Sequence, residues 1–307
     1  MSSHHYEIGR SALVVSNRKL TTLVYGTFFL AQLCPEQGLM FLAVPDAGTV
    51  EVYETVRRES PKEPTLIRTI EAGLLPVNLL LNSDCTLLVV ANENRGEVID
   101  EGAVSLVRAV DNNWRNVHKK TSTKTLALDS NGAWDDKYVL DKGLHMPLTK
   151  NALEYWDTLS PLKDIVDFAQ VRQEYKSSIF LEPENLAWST PDETELLVNL
   201  QKNNGLIRID VVNEKLIALA GYGLKDHGEV PIDINPNDKT CDLKLYPNLF
   251  ALRSPDSIAT FRYNGKKYVV TANEGSDKDY GEFEEKIDAK DLFPVSTQTS
   301  RNARAFG

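Results

Sequence analysis

Carboxylates recur in this sequence at matching offsets: Glu93, Glu97, Asp100 and Glu101 in one stretch, Glu182 and Glu184 in a second, Asp256, Glu274, Asp277, Asp279 and Glu282 in a third. Oxygen ligands gathered from separate loops suit hard cations. Calcium comes first because it tolerates irregular coordination, whereas magnesium demands an octahedron. The tightest groupings are Glu182-Pro183-Glu184 and Ala272-Asn273-Glu274-Gly275. Asparagine accepts left-handed backbone and offers a carbonyl oxygen, and glycine lets the chain turn sharply beside an ion. The candidate metal ligands are therefore Glu93, Glu182, Glu184, Asp256, Asn273 and Glu274, with calcium the expected ion and magnesium the weaker alternative. Any one of these acids is explained as well by a solvated loop tip; only the set argues for a metal.

Other chemistry is faint. Asp277 to Glu282 has the look of an EF-hand loop, but its ligand spacing is wrong and no helices flank it. His4, His5, His118, His145 and His227 fall in no ligand spacing, and no G-x-S-x-G elbow, H-E-x-x-H pair or Walker loop occurs. Ser254-Pro255-Asp256 would set a hydroxyl near a metal, and a turn or helix cap explains it as well. No catalytic residue is assigned.

Acids so far apart in sequence meet only if a repeat positions them. Three segments, 73–110, 180–212 and 253–283, share one layout: a proline (Pro76, Pro183, Pro255), a short apolar run, a polar turn, and a β-rich run ending in Asn92, Asn199 or Asn273. Proline and asparagine lie 16 residues apart in the first two and 18 in the third, where the turn Tyr263-Asn264-Gly265-Lys266 is longer. This spacing fits two strands joined by a hairpin. Gly102 and Gly205 then open alternating strands, and Gly48, after the apolar run 39–44, resembles the tail of an earlier copy. Repeated antiparallel units of this kind predict an all-β chain of β-propeller blades, in which equivalent loops converge on one face. About four units are recognisable, so an incomplete ring is expected, either an open arc or a distorted small barrel. The division read from the sequence is an N-terminal segment 1–30, a propeller-like domain 31–292 with a partly helical insertion at 111–176, and a tail 293–307. Trp114, Trp134 and Trp156 mark the insertion, which either forms a lid over one face or decorates it.

The totals narrow the partners. With 307 residues, 42% hydrophobic and 25% charged, the chain has enough apolar material for a sizeable core. Its net charge of -10 repels a nucleic-acid backbone or an anionic membrane. Cys34, Cys85 and Cys241 are too few for a disulfide framework or a zinc cluster and allow one bridge and one free thiol. Leu20 to Leu33, after Arg18 and Lys19, has the length of a signal-peptide core but is too short to span a bilayer. No small-x-small cleavage site follows, and its β-branched and aromatic content suits a strand.

Taken together, Ala91-Asn92-Glu93 with Glu101-Gly102-Ala103-Val104-Ser105, Leu181-Glu182-Pro183-Glu184, Leu200-Gln201 with Asn203-Asn204, and Pro255-Asp256-Ser257-Ile258 with Thr271-Ala272-Asn273-Glu274-Gly275 resemble the choice-of-anchor I, or mesenchyme-specific cell surface glycoprotein-like, family. The resemblance implies a YVTN- or WD40-like propeller, exported or at the cell surface, with some members described as atypical alkaline phosphatases. Val77, Phe180 and Lys202 stand where that family usually carries acids, and each removes a ligand. Later blades and a serine-rich segment of the family would lie beyond Gly307, so a truncated chain or one needing a partner is expected. The function implied is an exported cation-binding module for cell-surface or matrix interaction, non-enzymatic or impaired. The alternative is a metal-dependent phosphomonoesterase acting on a phosphate ester. Glu93, Glu184 and Glu274 are expected to approach one another on one face.

Overall fold

The computed structural model describes residues 4–8, 11–16, 19–24, 31–55, 64–94, 100–159, 168–234, 239–278 and 285–287. Strands β1 (His4–Ile8), β2 (Ser11–Ser16) and β3 (Lys19–Val24) form an antiparallel sheet of their own. Sheet 1 follows as the meander β4 (Ala31–Cys34), β5 (Leu39–Val44), β6 (Thr49–Glu54) and β7 (Thr65–Glu71). Sheet 2 is the meander β8 (Pro76–Leu81), β9 (Leu87–Asn92), β10 (Ala103–Arg108) and β11 (Ser122–Ala127). After helices α1 (Asp136–Asp141), α2 (Lys150–Leu159) and α3 (Phe168–Glu174), sheet 3 repeats the meander with β12 (Asn185–Trp188), β13 (Glu195–Leu200), β14 (Gly205–Asp210) and β15 (Lys215–Gly221). Two hairpin-sized sheets close the described chain: β16 (Leu224–Asp226) pairs with β17 (Phe250–Leu252), and β18 (Pro255–Tyr263) with β19 (Lys266–Asn273). Among the described residues no sheet closes on itself. The stretch 20–33 is strand at both ends, and residues 25–30 lie outside the described residues.

The repeat has a structural cause. Pro76 is the register partner of Asn92 and Pro255 that of Asn273, each followed by a bulge, while Asn185 pairs with Asn199. Proline is tolerated there because it opens its strand. β9, β13 and β19 are thus equivalent second strands, as the offsets require.

Side-chain alternation explains the unbroken apolar runs. In β9, Leu88 and Val90 pack with Phe41, Val50, Val52 and Trp114 between sheets 1 and 2, while Leu87, Val89 and Ala91 enter a second core with Leu186, Leu196, Val198 and Ile207 of sheet 3. A strand covered on both faces has no polar positions to show. Leu197 points the other way, to Ala187 and Ile258, and joins sheet 3 to β18.

Not all of 111–176 leaves the sheets. Ser122–Ala127 is β11, paired along its length with β10; an outermost strand with a mostly exposed, polar sequence has no hydrophobic period to betray it. The helices come after it and contribute Trp134, Val139, Leu153 and Val171 to the core between sheets 2 and 3. Trp114 is fully buried against sheets 1 and 2, donating from Nε1 to the Cys85 carbonyl at 2.6 Å.

Two of the repeated asparagines, Asn92 and Asn199, are joints. Asn92 Nδ2 donates to the Ala72 carbonyl at 3.1 Å and Ser105 Oγ at 3.0 Å, tying sheet 2 to the end of sheet 1. Asn199 donates to the Pro255 carbonyl and accepts from the Tyr222 hydroxyl at 2.9 Å. Gly73 lets the first joint form: its φ is +131°, and a Cβ there would lie 2.6 Å from Asn92 Nδ2. Gly73→Ala is therefore expected to lower unfolding free energy by about 2–3 kcal/mol, from backbone strain plus displacement of a buried amide. Urea unfolding checks this, and a change within error of zero would contradict the joint.

Candidate functional site

Two sheets build the site. Glu93 follows β9, held by its backbone N–H donating to the Leu75 carbonyl at 3.0 Å. Glu182 and Glu184 lie in the extended run leading into β12; the Glu182 N–H donates to Asn203 Oδ1 at 3.0 Å, and the Glu184 N–H to the Asn199 carbonyl at 2.9 Å. Asn203 itself is fully buried and donates to the carbonyls of Phe180 and His145, so the β13–β14 turn anchors the run that carries the acids. The result is a cluster in which carboxylate oxygens of Glu93, Glu182 and Glu184 lie within 4.8 Å of one another.

Three like charges at that distance require a cation. Lys202, in the same β13–β14 turn, supplies it: its Nζ is 2.6 Å from Glu93, 3.0 Å from Glu182 and 3.9 Å from Glu184. A second ammonium comes from the chain after β19. Lys278 is 1% exposed, with Nζ 2.8 Å from Glu182 Oε1 and 2.6 Å from the Phe180 carbonyl. Glu285 secures that segment, accepting from the Lys278 N–H at 3.0 Å and meeting His145 Nε2 at 2.7 Å.

Burial would raise Glu182, but Lys278 and then Lys202 outweigh it and hold the carboxyl below its ordinary value. Glu184 meets Lys202 only at 3.9 Å, the longest of the three contacts. Burial first, then the Glu93 charge, push it up to about 8 against the pull of Lys202. Burial works against Lys202 as well, yet Glu182 and Glu93 keep its ammonium protonated well beyond the usual range. Lys278 is lowered by burial despite Glu182.

Because the folded-state value of Glu184 lies above its ordinary 4.5, the native state favours the protonated carboxyl. The associated stability is full below the ordinary value and is lost as pH rises toward about 8. Wild-type protein should therefore lose stability across that window, and Glu184→Gln should flatten the loss. Parallel pH profiles in chemical denaturation would contradict this assignment.

Of the six candidate ligands, three converge. Asp256 is near enough for its charge to bear on Glu184. Glu274 is exposed and stands one sheet over, accepting from Gln201 Nε2 at 3.4 Å, and Asn273 is an exposed strand end paired with Pro255. Neither of these two joins the cluster. Elsewhere Glu101 meets Lys176 and accepts from Ser178 Oγ, while Glu97, Asp279 and Glu282 lie outside the described residues. The two lysines went unrecognised as partners in the sequence, where Lys202 registered as a lost ligand and Lys278 was not singled out. Separately, residues of the helical stretch line a groove of about 560 Å³, among them Trp134, Asp136, Lys150 and Tyr175, and it shares no residue with the cluster.

The three oxygens fit a hard divalent ion by type and spacing. An ammonium stands among them, so an ion enters only by displacing Lys202.

Stacked antiparallel meanders with an acid-bearing joint between them place the chain among repeat-built all-β proteins. The choice-of-anchor I domain matches residues 30–304, and the chain belongs to the choice-of-anchor I family. Comparison with curated proteins finds no match. Among solved structures, a functionally unknown protein from Desulfotomaculum acetoxidans DSM 771 is similar at 11% identity and a TM-score of 0.38, over 69% of this chain and 51% of its own. The chain spans about half the length of that structure.

Proposed function

We propose that this chain is a cell-surface-associated, non-enzymatic interaction module, a β-propeller-like stack of sheets whose carboxylate cluster serves as a joint closed by its own lysines. The observation that carries this reading is Lys202 Nζ, seated 2.6 Å and 3.0 Å from two of the three acids. A phosphomonoesterase needs an ion with an open position beside a nucleophile or water. Here the ammonium takes the ion's place, and the hydroxyl of Ser254 is on a residue with no exposed surface. Surface association accords with the family. The Cys34–Cys85 bridge supports an oxidising compartment, and no described helix is long and apolar enough to cross a membrane.

Calcium, with magnesium behind it, remains the ion this oxygen set would take once Lys202 is removed. Purified protein is expected to leave p-nitrophenyl phosphate unhydrolysed with or without calcium. Calcium-dependent turnover that disappears in Glu184→Gln would overturn the non-enzymatic reading. In melting experiments calcium should raise the midpoint of Lys202→Gln well above its effect on wild type, since only binding to the native state stabilises. If neither protein responds, the cation part of the reading fails.

A further inference from the structure

Beside the carboxylate cluster, an amine and an amide converge on one oxygen. Lys278 Nζ and Asn203 Nδ2 both donate to the Phe180 carbonyl, each at 2.6 Å, although one belongs to the chain beyond β19 and the other to the β13–β14 turn. Water is kept from them: Asn203 is 0%, Lys278 1% and Glu182 3% exposed. The amide is held in one orientation, because Asn203 Oδ1 accepts from the Glu182 backbone N–H at 3.0 Å while Nδ2 also donates to the His145 carbonyl at 3.0 Å. A fixed donor facing Oδ1 stabilises negative charge gathering on that oxygen and so makes Cγ the better electrophile. Lys278 Nζ in turn lies 2.8 Å from Glu182 Oε1, a carboxylate placed to take its proton. Burial shifts Lys278 toward the neutral amine, the nucleophilic form.

We propose that Lys278 and Asn203 form an intramolecular isopeptide bond, a covalent link between the chain beyond β19 and the β13–β14 turn of sheet 3. The structure holds the two side chains in their unlinked state. An ammonium proton of Lys278 passes to Glu182, and the freed lone pair on Nζ attacks Asn203 Cγ while Oδ1 carries the charge opposite the Glu182 N–H. Glu182 returns the proton to Nδ2 as the Cγ–Nδ2 bond breaks. The leaving ammonia takes the second proton that Nζ sheds, so the products are one secondary amide and one ammonium. No oxidant, reductant or co-substrate is consumed.

Mass spectrometry of the full chain tests this. Folded wild type incubated at neutral pH should become lighter by one ammonia, while protein kept in denaturant throughout should not. Succinimide formation at Asn131-Gly132, Asn204-Gly205 or Asn264-Gly265 gives the same mass change, so location decides. Tandem spectra of a tryptic digest should show the peptide carrying Asn203 branched onto Lys278, with no cleavage after that lysine. Glu182→Gln should slow the link by about a hundredfold or more, the scale of a general acid–base group. Lys278→Arg, which keeps the charge without the nucleophile, should abolish it. Should either variant fail to fold, the wild-type spectra still decide. A wild-type mass that stays constant, an ammonia loss that maps only to an Asn-Gly step, or a link that forms at the wild-type rate in folded Glu182→Gln would each overturn the proposal.

Discussion

Lys278→Met is expected to destabilise the protein by about 3–5 kcal/mol, the cost of leaving a buried partner without its counter-charge. Lys278 is 1% and Glu182 3% exposed, so solvent cannot replace the ammonium. The Phe180 carbonyl loses a donor at 2.6 Å in the same step. Lys202 should not make up the difference, since its Nζ is already shared with Glu93 and Glu184. The double variant Glu182→Leu/Lys278→Met should recover most of the loss, because apolar residues of similar volume often substitute for a buried pair at little net cost. Lys202→Met should cost less than Lys278→Met, as its side chain is 29% exposed and water can partly screen the acids left behind. Urea unfolding of the four proteins measures all of this. A Lys278→Met loss below about 1 kcal/mol would mean that Glu182 is held by something other than the ion pair.

Removing the bridge between Cys34 and Cys85 should cost a similar amount. It links β4 to the β8–β9 turn across 51 residues, with the Cα atoms 6.0 Å apart, and so staples sheet 1 to sheet 2. Closing a loop of that length in the unfolded chain corresponds to about 4 kcal/mol by loop-entropy arithmetic. The cost should appear first in sheet 1, whose core with sheet 2 includes both cysteines together with Phe41 and Trp114. Cys241 is free and exposed, so Cys241→Ser is the proper background for preventing disulfide exchange. In that background, Cys34→Ala/Cys85→Ala should unfold at markedly lower denaturant, with hydrogen exchange fastest in β4 to β7. Unfolding curves that coincide with and without the bridge would show that the sheet contacts alone hold this interface.

Much of this was legible in residue order. Proline and asparagine offsets identified β9, β13 and β19 as equivalents because the two residues are register partners in sheet 2 and in the β18–β19 hairpin and lie two residues from that register in sheet 3, and local spacing records local pairing. β-rich runs marked β9 and β13 as strands, and only the packing showed them buried on both faces. β11 went unread because an outer strand exposed along most of its length carries no hydrophobic period. Composition alone allowed one bridge, but only the packing of sheet 1 on sheet 2 chose Cys85 for Cys34.

The site divides the same way. Residue types and their repeated positions made Glu93, Glu182, Glu184, Asp256, Asn273 and Glu274 the candidates and set Glu93, Glu184 and Glu274 to meet; the structure gathers Glu93, Glu182 and Glu184 instead and leaves Glu274 beside Gln201. Tertiary structure alone decided what balances them. Lys202 reaches Glu93 across the joint between two sheets, and Lys278 arrives from beyond β19 to be buried against Glu182. Electrostatic partnership depends on distances of a few ångströms between atoms remote in sequence, and no spacing rule encodes those distances.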